Sequence, residues 1–278
     1  MGVSTIKENT LNEEYPKICP DATYGRVYQL GPDGPYVASV TTITSYSLPT
    51  QQYLMKWFIE QSKGDYQKHI EFSGEASEVG TAVHALAERV LRGEEVVISD
   101  DPLDYVSGKG YYPTHQTLTQ IKKGLQSFMT FWNKQGPELV AMEELLWSLD
   151  RASDGTYLYP FCGRVDMVAT IGDERWLLDL KTSKVVKNSL AYQLQLSAYK
   201  LLWDAKHPEL PIARLGVIHC NKTFTRDTPP KSVEEPIEYK FTPDLLFHAF
   251  SIFSEVYDGF ELGQPKRKAK VPKVFSLA

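Results

Sequence analysis

Hydrophobic positions along the chain follow two periods. In residues 75–92, EASEVGTAVHALAERVLR, the side chains of Val79, Val83, Leu86, Ala87, Val90 and Leu91 fall on one stripe at helical spacing, which predicts an amphipathic helix. Residues 115–135 repeat that period and end at Gly136-Pro137, a combination that stops a helix. Helical periods also return at 50–70, 188–205 and 243–260. Between them lie short β-type runs at 138–149, 157–171, 174–182, 212–222 and 235–241, with Asp154-Gly155 and Gly172-Asp173 as turns. Near the start, Gly-Arg-Val-Tyr-Gln-Leu and Tyr-Val-Ala-Ser-Val-Thr-Thr-Ile flank a Gly/Pro/Asp turn and predict a hairpin.

The order is helices, a three-strand meander, a helix, further strands and a helix. It predicts an α/β fold with a mixed central β-sheet flanked by helices. Residues 1–23 lack pattern and read as a poorly ordered N-terminal arm. No linker interrupts 24–262, which reads as one domain: an N-terminal hairpin and helix region over 24–75 and a core over 76–262. Residues 263–278 form a basic C-terminal tail containing PKRKAKVPK.

Composition narrows the possibilities. The 278 residues are 42% apolar, enough for a sizeable core. No stretch approaches the roughly eighteen apolar residues of a membrane helix. The first residues carry neither a secretory nor a transit pattern, so a cytoplasmic protein without membrane partners is expected. Three scattered cysteines, Cys19, Cys162 and Cys220, fit a reducing compartment and cannot ligate a four-cysteine iron–sulfur cluster. The net charge of −5 weighs mildly against a nucleic-acid binder. Carboxylates awaiting a metal would add to that negative charge.

Candidate chemistry sits in the hairpin. In WLLDLKTS, Leu177, Asp179 and Lys181 share one strand face. Asp166 interrupts the equally apolar run FCGRVDMVAT. Charges in such strands cost desolvation energy unless a partner or metal compensates. Two carboxylates from neighbouring strands can converge on one divalent ion such as Mg²⁺. A lysine beside it can orient an attacking water and offset charge on a scissile phosphate. His84 on the apolar helix could complete the ion's shell. Tyr192, Gln195 and Tyr199 share a face of the following helix.

GTAVH (80–84), CGRVD (162–166), LLDLKTS (177–183) and QLSAY (195–199) together resemble the RecB-type branch of the PD-(D/E)XK nuclease superfamily. SVTTI (39–43) and Trp57 are also similar to the mitochondrial genome maintenance exonuclease group and its phage-encoded relatives. The resemblance spans roughly 24–262. It implies a Mg²⁺- or Mn²⁺-dependent deoxyribonuclease acting on single-stranded or end-frayed DNA in replication, recombination or repair, with replication or recombination proteins as possible partners. It places the protein in the cytoplasm of a bacterial or phage-infected cell. His84, Asp166, Asp179 and the Leu180 main-chain carbonyl would hold the ion, Lys181 would be the catalytic lysine, and Gln195, Tyr199 and Tyr192 would support the site and bind substrate. A glutamate on the preceding strand is common in such nucleases, and Glu143 fits better than Glu144. Many RecB-type relatives carry an iron–sulfur cluster, but the missing cysteines point to the cluster-free exonucleases.

Blander readings compete with each of these. Asp179 and Lys181 could be a plain ion pair, and His84 a satisfied core histidine. Gln195 and Tyr199 could merely pack. Tyr111, Tyr112 and His115 could stack on bases or be ordinary loop residues. The basic run 266–270 could touch phosphates or simply be solvated. His69, His207, His219 and His248 show no metal-ligand spacing. A structure-specific endonuclease of the same superfamily and a non-catalytic DNA-binding module are the alternative functions.

Overall fold

The computed structural model describes residues 16–19, 25–32, 36–48, 59–60, 63, 65–99, 114–148, 161–183, 186, 189–222 and 234–257. Within them the chain forms strands β1 (Lys17–Ile18), β2 (Val27–Gln29) and β3 (Tyr36–Ser39), helices α1 (Val40–Ser47), α2 (Tyr66–Leu91) and α3 (His115–Gln135), strands β4 (Glu138–Ser148), β5 (Phe161–Ile171) and β6 (Glu174–Lys181), helix α4 (Leu190–Lys206), strands β7 (Arg214–His219) and β8 (Ile237–Tyr239), and helix α5 (Pro243–Tyr257). Trp57, Tyr111, Tyr112, the Asp154-Gly155 turn and the tail 263–278 lie outside the described residues.

All the described strands belong to one mixed sheet, in the order β1-β2-β3-β5-β6-β7-β8, with β4 also on β5. The β3–β5 and β6–β7 pairs are parallel; the others are antiparallel. This is the α/β architecture with a mixed sheet that the period pattern predicts. Helices cover both faces. Val40 and Ile43 of α1, Leu194 and Leu202 of α4, and Leu246 and Phe250 of α5 pack with Val165, Val168 and Leu177. On the other face, Val79, Val83 and Leu86 of α2 and Ile121, Leu125 and Phe128 of α3 pack with Met167, Ala169, Leu178 and Leu180. Each fully buried aliphatic or aromatic side chain of this kind contributes about 1.5–3 kcal/mol. Among the described residues, no helix is long and apolar enough to cross a membrane.

Several local outcomes differ from the pattern. The predicted second hairpin strand stops at Ser39, whose hydroxyl caps a helix by accepting from Thr42 N at 3.1 Å. Val40 to Ile43 are therefore helical despite their β-branched side chains. Lys17 and Ile18, assigned to the loose arm, pair with Gln29 and Tyr28. Helix α2 begins at Tyr66 and continues through Gly74, joining residues expected in two separate helices. Burial of Val79, Val83 and Leu86 outweighs the roughly 1 kcal/mol cost of a helical glycine. Helix α3 matches its predicted bounds, with a Thr114/Thr117 capping box and Gly136 in the left-handed conformation at its end.

The sheet has a local opening that positions the site. Strand β4 occupies one edge of β5 from Phe161 to Thr170. The other edge is shared: β3 pairs at Phe161 and Cys162, and β6 from Met167 to Ile171. Residues 163–166 lie between these two partners, without a described strand on that edge. Gly163 sits there because a Cβ would collide with Cε1 and Cδ1 of the Tyr199 ring. Gly163→Ala is expected to displace the buried Tyr199 ring and destabilise the fold by about 1–3 kcal/mol. Urea unfolding should show a lowered midpoint with an unchanged slope; an unchanged midpoint would mean that the ring yields freely.

Candidate active site

Three carboxylates occupy neighbouring positions across β4, β5 and β6. Met142 pairs with Met167 and Glu144 with Val165, which sets Glu143 opposite Asp166. Met167 pairs with Leu178, which sets Asp179 opposite Asp166 on the other side. The β5–β6 ladder ends at that pair. Beyond it, Leu180 N donates to Asp166 Oδ2 at 2.8 Å, so a side chain takes the place of a strand partner. Glu143 adopts a φ of 51°, a left-handed conformation rare for a residue with a side chain.

Helix α2 brings His84 to this opening. Gly80, one turn earlier, lies close to β6, where a Cβ would sit 3.3 Å from Thr182 Oγ1. His84 Nε2 is 3.0 Å from the Leu180 carbonyl, and Nδ1 is 3.6 Å from Asp166 Oδ2. With the hydrogen on Nε2, the ring donates to Leu180 and presents the Nδ1 lone pair toward Asp166. One ligand atom each from His84, Glu143 and Asp166 lie within 4.8 Å of one another. Donors around a single Mg²⁺, at about 2.1 Å each, can lie at most about 4.2 Å apart. Neighbouring donors in an octahedral shell stand closer, at about 3.0 Å, so the three side chains would draw together to take up an ion. Two carboxylates and an imidazole form a donor set for a hard or borderline divalent cation.

Asp179 and Lys181 lie toward α4. Asp179 is 2% exposed; its Oδ1 accepts from Gln195 Nε2 at 2.9 Å, and Oδ2 is 2.5 Å from Lys181 Nζ. Gln195 Nε2 also donates to the Tyr199 hydroxyl at 3.2 Å. Lys181 Nζ stands 5.2 Å from the Tyr192 ring centroid, within cation–π range. The i,i+3 and i,i+4 spacing of Tyr192, Gln195 and Tyr199 on α4 thus backs the Asp-x-Lys face of β6, as the two periods imply.

Asp179 is outside the three-donor cluster, with its oxygens engaged by Gln195 and Lys181. Gln195 and Tyr199 are 9% and 5% exposed, and the Gln195 amide bonds both Asp179 and the Tyr199 hydroxyl. The two glutamates lie in different surroundings, Glu143 beside His84 and Asp166. Glu144 accepts from Lys206 Nζ and His207 Nε2, both at 2.8 Å, away from the cluster. Arg164, not singled out in the sequence, lies 3.6 Å from Glu143. Its mark was a charge inside the buried CGRVD run. His219 bonds the Ser183 carbonyl, and His115 is exposed at the start of α3.

Electrostatics follow from burial and crowding. Burial and then Asp166 raise the Glu143 pKa. Burial raises that of Asp179 also, with Lys181 opposing and Asp166 adding to the shift. Burial works against the Lys181 charge, but Asp179 and Asp166 outweigh it, so its pKa rises and the ammonium persists. Burial, then Asp179 and Asp166, hold the Tyr199 phenol neutral.

Comparison with known proteins accords with this geometry. The family model of the PD-(D/E)XK nuclease superfamily matches residues 54–261. The chain belongs to the PD-(D/E)XK nuclease superfamily. Membership implies a metal-dependent nuclease with DNA as substrate. Among solved structures, SSO0001 is similar at 11% identity over 73% of this chain and 86% of that one, with a TM-score of 0.30, a likeness too weak to add to the fold. No curated protein matches.

The raised carboxylates fix a sign. An acid whose pKa is higher folded than unfolded binds more protons when folded, so its contribution to stability falls as pH rises through the window above the ordinary carboxylate range. A bound cation should offset that loss where the acids are ionised. Mn²⁺ is therefore expected to raise Tm more at pH 7.5 than at pH 5, as read by calorimetric melting. Equal shifts at both would place Mn²⁺ away from Glu143 and Asp179.

Proposed function

We propose that this nuclease is a Mg²⁺- or Mn²⁺-dependent DNA exonuclease of the RecB-type branch. It would act on single-stranded or end-frayed DNA in replication, recombination or repair. The observation that carries the metal assignment is the convergence of His84, Glu143 and Asp166 beside the Asp179–Lys181 pair, at an opening in the sheet. His84, Glu143 and Asp166 are the proposed ligands. Asp179 and the Leu180 carbonyl, the other ligands that the motifs imply, adjoin them, held by Lys181 and Gln195 and by His84 respectively. A divalent ion held there supplies Lewis-acid stabilisation of charge on the scissile phosphate.

The chain's own residues divide the remaining work. The Asp179 and Asp166 carboxylates favour the Lys181 ammonium, which would donate toward the attacking water or a phosphate oxygen. Asp179 holds that ammonium, and Gln195 holds Asp179. Tyr192 flanks the ammonium and limits its swing. Exonuclease action, a cytoplasmic location in a bacterial or phage-infected cell and a link to replication or recombination proteins rest on the likeness of the motifs to the mitochondrial genome maintenance exonuclease group and its phage-encoded relatives.

Lys181→Ala is expected to slow cleavage roughly 10²–10³-fold, the scale of a lost transition-state donor, with little change in DNA binding. The assay should compare end-labelled linear single strands with covalently closed circles. Linear strands should be shortened and circles left intact. Rapid cutting of circles would make the protein an endonuclease, and full activity in Lys181→Ala would remove lysine from the chemistry.

A further inference from the structure

Beside the carboxylate cluster lies a pair of arginines that the catalytic reading leaves unused. Arg164 is on β5, two residues before Asp166, in the opening between β3 and β6. Two strand residues span roughly 6.6 Å, comparable to one nucleotide step along a DNA strand. The Arg164 side chain is 45% exposed. Its contact with Glu143, at 3.6 Å, is too long for a hydrogen bond, so the fork keeps donors for another acceptor.

Arg26 approaches from the neighbouring hairpin. Its carbonyl accepts from Ser39 N, and its N–H donates to Thr42 Oγ1, which fixes its backbone beside β3. Ser39 pairs in turn with Cys162, two residues before Arg164, so the two arginines stand on either side of the end of β3, at the same end of the opening. Between them lies Tyr28, buried against Cys162: burial raises its pKa, and the charges of Arg26 and Arg164 and a hydrogen bond from Arg26 oppose the rise. Among the described residues, Arg26 has no carboxylate partner. A planar fork suits a phosphodiester, which it can grip with paired hydrogen bonds.

We propose that Arg26 and Arg164 form a phosphate grip that holds the DNA backbone one step from the scissile bond, as a binding element separate from the metal ligands. The grip rests on the reading of the site as a DNA nuclease and adds how the strand is registered on it. Arg164 contacts the backbone phosphate nearest the cluster, and Arg26 the next one outward. Neither reads sequence, because phosphate contacts carry none. Their Coulombic attraction offsets the repulsion that the chain's net charge of −5 presents to DNA.

The test is the salt dependence of binding by the full chain to a short labelled single-stranded oligonucleotide, in Ca²⁺ to suppress cleavage. Arg164→Ala is expected to weaken binding roughly tenfold and to reduce the slope of log K against log salt by about 0.7, the loss of one single-strand phosphate contact. Arg26→Ala should do the same, and the double variant about twice as much. Arg164→Lys should keep the slope, because the charge remains. Mn²⁺ affinity, measured by calorimetry without DNA, should change far less than DNA affinity in Arg164→Ala, because the guanidinium keeps only a 3.6 Å contact with Glu143. An unchanged slope in Arg164→Ala, with wild-type protein still cleaving DNA, overturns the grip alone. An unchanged slope with altered Mn²⁺ affinity would make Arg164 a partner of Glu143 only, which also overturns it. A wild-type chain that neither binds nor cleaves DNA overturns the nuclease reading and the grip with it.

Discussion

Mutual repulsion among Glu143, Asp166 and Asp179, set on three adjacent strands, is the constraint that organises this molecule. Carboxylates this close inside a sheet are unfavourable without compensation. Compensation is local and divided. Asp166 takes a main-chain N–H that has lost its strand partner, Asp179 takes Lys181 and Gln195, and Glu143 keeps a loose contact with Arg164. The sheet contributes by failing to close: β3 and β6 each pair with part of one β5 edge and leave 163–166 between them.

The helices fit around that opening. Helix α2 approaches β6 closely at Gly80 and so places His84 against Leu180 and Asp166. Helix α4 lays Tyr199 over Gly163, where a side chain would collide, and its Gln195 reaches Asp179. The two halves of the site differ in access. His84 and Asp166 retain 29% and 16% side-chain exposure, whereas Asp179 is buried at 2%. An ion and a phosphate can enter on the His84 side, while the Asp179–Lys181 pair is held in fixed geometry behind them.

Much of this is legible in the sequence because it depends on periodicity. The stripe from Val79 to Leu91 specifies α2, and the period of two puts Asp179 and Lys181 on one face. The i,i+4 spacing then lines up Gln195 and Tyr199 behind them. What escaped depends on hydrogen bonds between distant segments. Ser39 turns a β-branched run into a helix by capping it, and the short β1 strand exists only because β2 offers an edge. The stretch 163–166, with a described strand on one edge only, and the left-handed Glu143 arise from how strands share edges, which no local pattern encodes. The same holds for Arg26 and Arg164, which are far apart in sequence and brought to either side of the end of β3 by the pairing of Ser39 with Cys162.

Whether His84, Glu143 and Asp166 together hold the divalent ion used in DNA cleavage can be read from calorimetric titration of Mn²⁺ into wild-type, Asp166→Asn and Glu143→Gln protein, with DNA cleavage measured in the same buffer. One Mn²⁺ site is expected in the wild type, weakened roughly 10–100-fold or more in each variant, with cleavage falling in parallel. Undiminished Mn²⁺ affinity in both variants, or cleavage that persists after that affinity is lost, is incompatible with that ion site.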